Sequence, residues 1–238
     1  MMDGVTETAD DLASTGGDAP APPPPPTDLS GIEEMRRRGK DLGEFLMVYR
    51  FGLEELLTKV NILREETTLR HGSSPIEHVS SRLKSIDSLV AKAERLGCAL
   101  TSDALADSIF DIAGVRVVTS FVSDCYDVME MLTSQPDVTV REVEDYIAEP
   151  KMNGYRSLHM LVEIPVFLSD RVVPACVEVQ IRTVAMDFWA SLEHKIYYKY
   201  DGAVPDSLRD ELAEAADTAS DLDQQMMRLH RKVHGTQH

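Results

Sequence analysis

The stretch Cys176 to Lys199, CVEVQIRTVAMDFWASLEHKIYYK, restricts the fold more than any other part of the chain. Val177, Val179 and Ile181 alternate with Glu178, Gln180 and Arg182. Successive side chains of a strand point to opposite sides of its sheet, so three apolar residues face a core and three polar ones share the other surface. The strand runs straight into a helix, about Thr183 to Lys199, that carries the only tryptophan, Trp189. Two descriptions fit the polar row of acid, amide and guanidinium equally: a solvated face, or a ligand floor at the strand's C-terminal end.

Upstream, Phe45, Leu46, Tyr49, Leu53, Leu56, Leu57, Val60 and Leu63 recur at three- and four-residue steps, which predicts an amphipathic helix over about 41–70. Ser74-Pro75 predicts a second helix, Ser74 as its N-cap, with the core stripe Ile76, Val79, Leu83, Ile86 and Val90. Its other face carries Lys84, Ser88 and Lys92 at four-residue spacing, with Arg82 at the edge. Stacked ammonium and hydroxyl groups suit a run of phosphates. A solvated helix face has the same pattern, and the absence of carboxylates among these three favours phosphate.

A short helix is expected over 102–108, then a buried strand over 111–118, DIAGVRVV. Asp111 at the strand entrance suits a metal or a cap. Arg116 has the opposite parity, and a bulge near Ala113-Gly114 would bring both to one pocket. A helix over 123–134 and a strand over 138–147 follow, and Pro150 and Asn153-Gly154 mark a loop. Tyr155, Ser157 and His159 share one parity, so Tyr155 beside Lys151, Arg156 and His159 suits a stacked base with its phosphates, or a packed hairpin. After a strand over 172–182 and the helix beyond it, Asp201-Gly202 and Pro205 break the chain. A last helix, Ser207 to about Val233, has weak apolar content and needs a surface to pack on.

Charge bounds the partners. The net charge is −17, and the first 35 residues hold no Lys or Arg. An acidic whole disfavours stable nucleic-acid binding and anionic membranes without excluding a local basic pocket. No apolar run nears the roughly 20 residues that span a bilayer, and the acidic N-terminus lacks a secretory pattern. Three separated cysteines, Cys98, Cys125 and Cys176, suit a reducing compartment, so a cytoplasmic protein is expected. Residues 1–34, ending in the run Pro22 to Pro26, read as a disordered tail.

No phosphate-binding glycine loop, dinucleotide fingerprint, HExxH or nucleophile elbow occurs. Two carboxylates from two strands, Asp111 and Glu178, clustered cations and a stackable tyrosine together favour metal-assisted transfer between nucleotides. RxKxxxSxxxK (Arg82 to Lys92), DIAGVRV (Asp111 to Val117), KxNGYRSLH (Lys151 to His159) and EVQIRTxAMDFWASLEHK (Glu178 to Lys195) resemble the RelA/SpoT synthetase domain, and within it the small alarmone synthetases, over roughly residues 42–200.

The resemblance implies an α+β, nucleotidyltransferase-like synthetase domain at 35–203: a mixed sheet of about five strands flanked by helices. Residues 204–238 would form a C-terminal helix for oligomerisation, in a homotetramer. It implies transfer of the pyrophosphate of ATP to the 3′-hydroxyl of GDP or GTP, with Mg²⁺ as cofactor. Arg82 and Arg116 would sandwich adenine, and Lys84, Ser88 and Lys92 would hold the ATP phosphates. Asp111 and Glu178 would bind the metal, with Glu178 also activating the acceptor hydroxyl. Tyr155 would stack on guanine, Lys151 and His159 would lie near the acceptor phosphates, and Asn153, Gln180 and Arg182 would line the acceptor cleft. The relatives' hydrolase domain with its His-Asp pair has no counterpart, so synthesis alone is expected. The family's allosteric product site maps onto Leu57, Asn61, His78 and Arg64, of which only Arg64 is basic, so such activation is not expected. Two other readings remain: a pyrophosphokinase for an adenine nucleotide or tRNA, and an inactive nucleotide- or RNA-binding regulator.

Overall fold

The computed structural model describes residues 29–200 and 204–234, so the expectation for the proline-rich tail lies, up to residue 28, outside the described residues. The chain divides into two units, Met1–Gly39 and Lys40–His238, and the sheet, core and site lie in the second. In chain order the elements are α1 (Leu29–His71), β1 (Ile76–Leu83), α2 (Ile86–Leu96), α3 (Ser102–Ser108), β2 (Ala113–Thr119), α4 (Val122–Thr133), β3 (Thr139–Asp145), β4 (Leu158–Phe167), β5 (Val172–Thr183), α5 (Val184–Lys199) and α6 (Asp206–His234). Residues 29–34, assigned from composition to the tail, are helical.

The five strands form one sheet in the order β1-β2-β5-β4-β3. Only β2 and β5 run parallel, so the sheet is mixed, as expected. The alternation of β5 holds: Val177, Val179 and Ile181 are buried in the main core with Val115, Val117, Met160 and Val162. On α1, Tyr49, Leu53, Leu56, Val60 and Leu63 bury the four- and three-residue stripe against that core. A Cβ added at Gly52 would stand 2.4 Å from the Cβ of Ala175, so α1 rests almost on the backbone of β5.

One predicted helix is wrong. Residues 76–83 form the edge strand β1, and only Ile86–Leu96 is helical. The register of β1 against β2 shifts between Ile76 and His78. That extra residue puts Ile76 and Val79 on one side at a three-residue step, and Leu83 follows four later, which copies helical spacing. Ser74 accepts from the Ile76 amide at 3.1 Å instead of capping a helix. The cap of α2 is Ser85, which accepts from the Ser88 amide at 3.2 Å.

No bulge at Ala113-Gly114 is needed to bring Asp111 and Arg116 to one pocket. β2 pairs without a break on both sides there. Asp111 lies two residues before the strand, so strand parity does not govern it.

Candidate functional site

The register writes two rows of side chains across the sheet face turned away from the main core. One runs Ser80, Arg116, Gln180, His159, Glu144, and the other Arg82, Gly114, Glu178, Leu161, Glu142, each across β1, β2, β5, β4 and β3. Guanidiniums therefore stand towards the β1 edge, carboxylates at the β3 edge, and Glu178 between them. Two hollows open on this face, of about 350 Å³ beside Arg82 and Arg116 and about 270 Å³ beside Lys92 and His159. Asp111 and Glu178 line both.

On the first side, Asp111 takes Lys92 Nζ at 2.6 Å and Lys84 Nζ at 3.1 Å. These lysines do not stack on one helix as predicted. Lys84 sits in the link between β1 and α2, where its amide bonds to Ile112 O at 2.8 Å, and Lys92 comes from α2. Both reach one carboxylate nevertheless. Ser88 lines neither hollow, and its hydroxyl accepts from that of Ser85 at 2.9 Å. Burial alone would raise the Asp111 carboxyl, but the bonds from Lys92 and Lys84 outweigh it and hold it below the ordinary range. Glu178 moves the other way: burial first, then the Asp111 charge, raise its proton affinity, against a bond from Gln180 Nε2 at 3.1 Å.

On the second side, Tyr155 is held on all quarters. Its hydroxyl meets His159 Nε2 at 2.6 Å and takes a bond from Arg182. The Arg182 guanidinium lies 5.0 Å from its ring centroid, and Trp189 stands 6.5 Å away, ring to ring. Arg182 is 4% exposed, so it braces the cleft more than it lines it; it also reaches Gln180 Oε1 at 2.9 Å and Ser157 Oγ at 3.4 Å. Asn153 turns inward. Its side chain accepts from the Tyr155 amide at 3.2 Å and donates to Glu193 on α5 at 3.0 Å, so both ends of it build the loop.

His159 Nδ1 lies 3.8 Å from Glu178 Oε1, close enough to count as an ion pair. Burial, with the charges of Arg182 and Lys151, pushes the imidazole down to about 4, so near neutral pH it is uncharged and the contact is a dipolar one.

Four contributors had no assigned role in the sequence. Asp187 on α5 takes Arg116 at 3.2 Å and Arg182 at 3.3 Å, joining the two sides. Tyr146 lies under the Lys151 ammonium at 4.1 Å from its ring centroid, nearer than Tyr155 at 5.4 Å. Glu142 and Glu144 line the smaller hollow. Asp187 falls inside the EVQIRTxAMDFWASLEHK stretch, which was the available signal. Strand alternation puts Glu142 and Glu144 on one face without telling which. Of the predicted allosteric positions, Leu57 packs against the core, while Asn61 and Arg64 line a shallow surface hollow on α1 and His78 is exposed on β1.

Among the described residues no three of His, Cys, Asp and Glu converge as a metal centre. Asp111 and Glu178 are instead a two-carboxylate oxygen set of the kind Mg²⁺ uses when water and substrate phosphates fill the rest of its shell. The donor chemistry fits that ion, with Lys84 and Lys92 balancing the Asp111 charge on the protein alone.

Residues 81–203 match the family described as "Region found in RelA / SpoT proteins". The chain is 48% identical to GTP pyrophosphokinase YwaC of Bacillus subtilis over 205 residues, covering 86% of this chain and 98% of that protein. The crystal structure of small alarmone synthetase 2 from Bacillus subtilis superposes with a TM-score of 0.74 at 48% identity, covering 81% of this chain and 99% of that one. Small alarmone synthetase 1 from the same organism, bound to its product pppGpp, superposes with a TM-score of 0.74 at 39% identity, covering 82% and 98%.

Proposed function

The chain belongs to the RelA/SpoT family, and from that premise we propose that it is a GTP pyrophosphokinase, moving the β,γ-pyrophosphate of ATP to the 3′-hydroxyl of GDP or GTP to give (p)ppGpp and AMP. The observation that carries the reading is the Lys84–Asp111–Lys92 cluster, whose Asp111 lines both hollows together with Glu178 and whose Lys92 lines the smaller one. Phosphoryl transfer needs charge neutralised and two oxygens aligned more than it needs covalent help. Such a cluster supplies the first, and a sheet face with cations along one edge supplies a direction for the second.

ATP occupies the larger hollow. Arg82 and Arg116 flank its adenine, and Arg116 Nε is buried there without a hydrogen-bond partner in the protein. Lys84 and Lys92, paired on the Asp111 that lines both hollows, hold the phosphates, while Ser88 stands outside both hollows. Guanine lies against Tyr155, with the cation of Lys151 beside it and neutral His159 donating or accepting at the acceptor's phosphate end. Gln180 orients Glu178, and Arg182 fixes Gln180 and Tyr155 together. Asn153 shapes the loop. Asp111 and Glu178 would hold Mg²⁺, which would draw charge from the phosphates.

The 3′-oxygen bonds to the β-phosphorus as the bond from that phosphorus to the bridging oxygen breaks, and AMP leaves with the electron pair. Glu178 accepts the hydroxyl proton. Its raised proton affinity makes it a better base than a solvated carboxylate. We read the protein as cytoplasmic and homotetrameric; the exposed apolar residues Val184, Phe188 and Leu192 on α5 offer a surface for self-association, and among the described residues no helix is long and apolar enough to cross a membrane.

The test is direct. Purified protein with ATP, Mg²⁺ and GDP should release AMP and a guanosine tetraphosphate identified by mass. No AMP with GDP, GTP or GMP overturns the reading, and an adenosine product moves it to another acceptor.

A further inference from the structure

The last helix meets the acceptor side at three places: the end of β5, α5 and the 151–157 loop. Asp223 on α6 is 6% exposed, and its Oδ2 accepts from Thr183 Oγ1 at 2.8 Å. That same hydroxyl accepts from the Met186 amide at 3.1 Å, so it joins the end of β5 to the first turn of α5. One residue upstream, Arg182 holds the Tyr155 hydroxyl and Gln180. Trp189, whose ring neighbours Tyr155, donates its indole N–H to Leu212 O on α6 at 2.8 Å. Ala216 on α6 packs in a small apolar cluster with Trp189, Ala190 and Tyr155. At Gly154, where φ is +85°, a Cβ would stand 2.4 Å from the Ala216 Cβ, so the loop and α6 are in direct van der Waals contact.

A buried carboxylate is costly unless it is paired, and a surface-packing helix has no need of one. Here burial raises the Asp223 carboxyl, and the Thr183 bond and the Arg156 charge lower it in part. The cost is accepted at the one position that grips the residue next to Arg182. We propose that α6 is a built-in part of the acceptor site, with Asp223 and Ala216 as positioning residues that set the 151–157 loop through Thr183 and Gly154. This rests on reading that loop as the acceptor loop. It makes acceptor affinity, and not donor affinity, depend on α6.

The experiment compares the full-length protein with Asp223→Ala, Asp223→Asn and Ala216→Met. KM is measured for GDP at saturating ATP and for ATP at saturating GDP, and amide hydrogen exchange is followed over 151–157. Misplacement by a fraction of an ångström predicts a rise of about tenfold in KM for GDP in Asp223→Ala and Ala216→Met, with KM for ATP within about twofold of the parent. Exchange in the loop should quicken in both. Asp223→Asn keeps an oxygen for Thr183 and should stay within about threefold of the parent for GDP. Equal rises in both KM values, or unchanged GDP kinetics and loop exchange in Ala216→Met, would overturn the proposal. If Asp223→Ala does not fold, Ala216→Met and the near-parental Asn variant decide it. If the parent releases no AMP, the reaction reading fails, and loop exchange alone decides whether α6 holds the loop.

Discussion

The two sides of the cleft are built on opposite plans. On the donor side the functional groups hold one another: Lys84 and Lys92 close on Asp111 from the β1–α2 link and from α2. On the acceptor side each group is held by something else. Arg182, Asn153 and Trp189 fix Tyr155 and its loop, and α5 and α6 fix those in turn. A self-paired cluster can exchange partners when a polyphosphate arrives, since its ammonium groups only change anions. A braced aromatic cannot move far, which suits a flat base that must be met in one orientation. Charge placement does the work on one side, and geometry on the other.

The largest expected effect is at the boundary of the two. Glu178→Gln should lower kcat by at least about a thousandfold with both KM values little changed, circular dichroism showing an intact fold. Near-normal turnover would remove its role as base. Next, Lys92→Met should act on the donor side alone. Losing a charge-assisted bond of about 2 kcal/mol corresponds to roughly a 30-fold rise in KM for ATP, with KM for GDP held. An equal change in both would erase the distinction between the sides.

The acceptor side should show in acid. His159 in the folded protein titrates near 4 against an unfolded value of 6.5. The unfolded chain therefore gains that proton first, and stability is lost as pH falls from about 6.5 towards 4. Urea unfolding at pH 7 and pH 5 should show the parent losing about 2 kcal/mol more than His159→Gln. Asp111 has the same sign in a lower window: its folded value is depressed below the ordinary carboxylate value, so its contribution persists while the imidazole titrates and is lost as pH falls below that value. A smaller effect is expected at the α2 cap, where Ser85→Ala should cost about 1 kcal/mol of stability and leave the acceptor kinetics unchanged.

The same division governs what the sequence disclosed. The alternation through Val177 to Arg182 named the central strand, its buried face and its polar row, and all three stand in the structure. Asp111, Lys84, Lys92, Arg82 and Glu178 meet although two of their supports were misread. Their convergence followed from residue types in order, whatever local structure delivered them. The edge strand β1 was hidden because an extra residue at its start turns two-residue alternation into a three-then-four step, and an edge strand lacks a second partner to insist on its period. The contacts of Asn153 were hidden for another reason. Its amide is the right chemistry for a ligand, but whether it faces a ligand or Glu193 depends on where α5 returns, and no local pattern encodes that.

Asp187 has one negative charge and two claimants, Arg116 on the donor side and Arg182 on the acceptor side. A substitution there cannot be scored for either nucleotide alone. Removing the carboxylate leaves two guanidiniums facing each other without their common counter-ion, so both ends of the cleft lose a fixed point together. In a kinetic screen that sorts variants by the substrate they disturb, Asp187 is the residue with no allegiance.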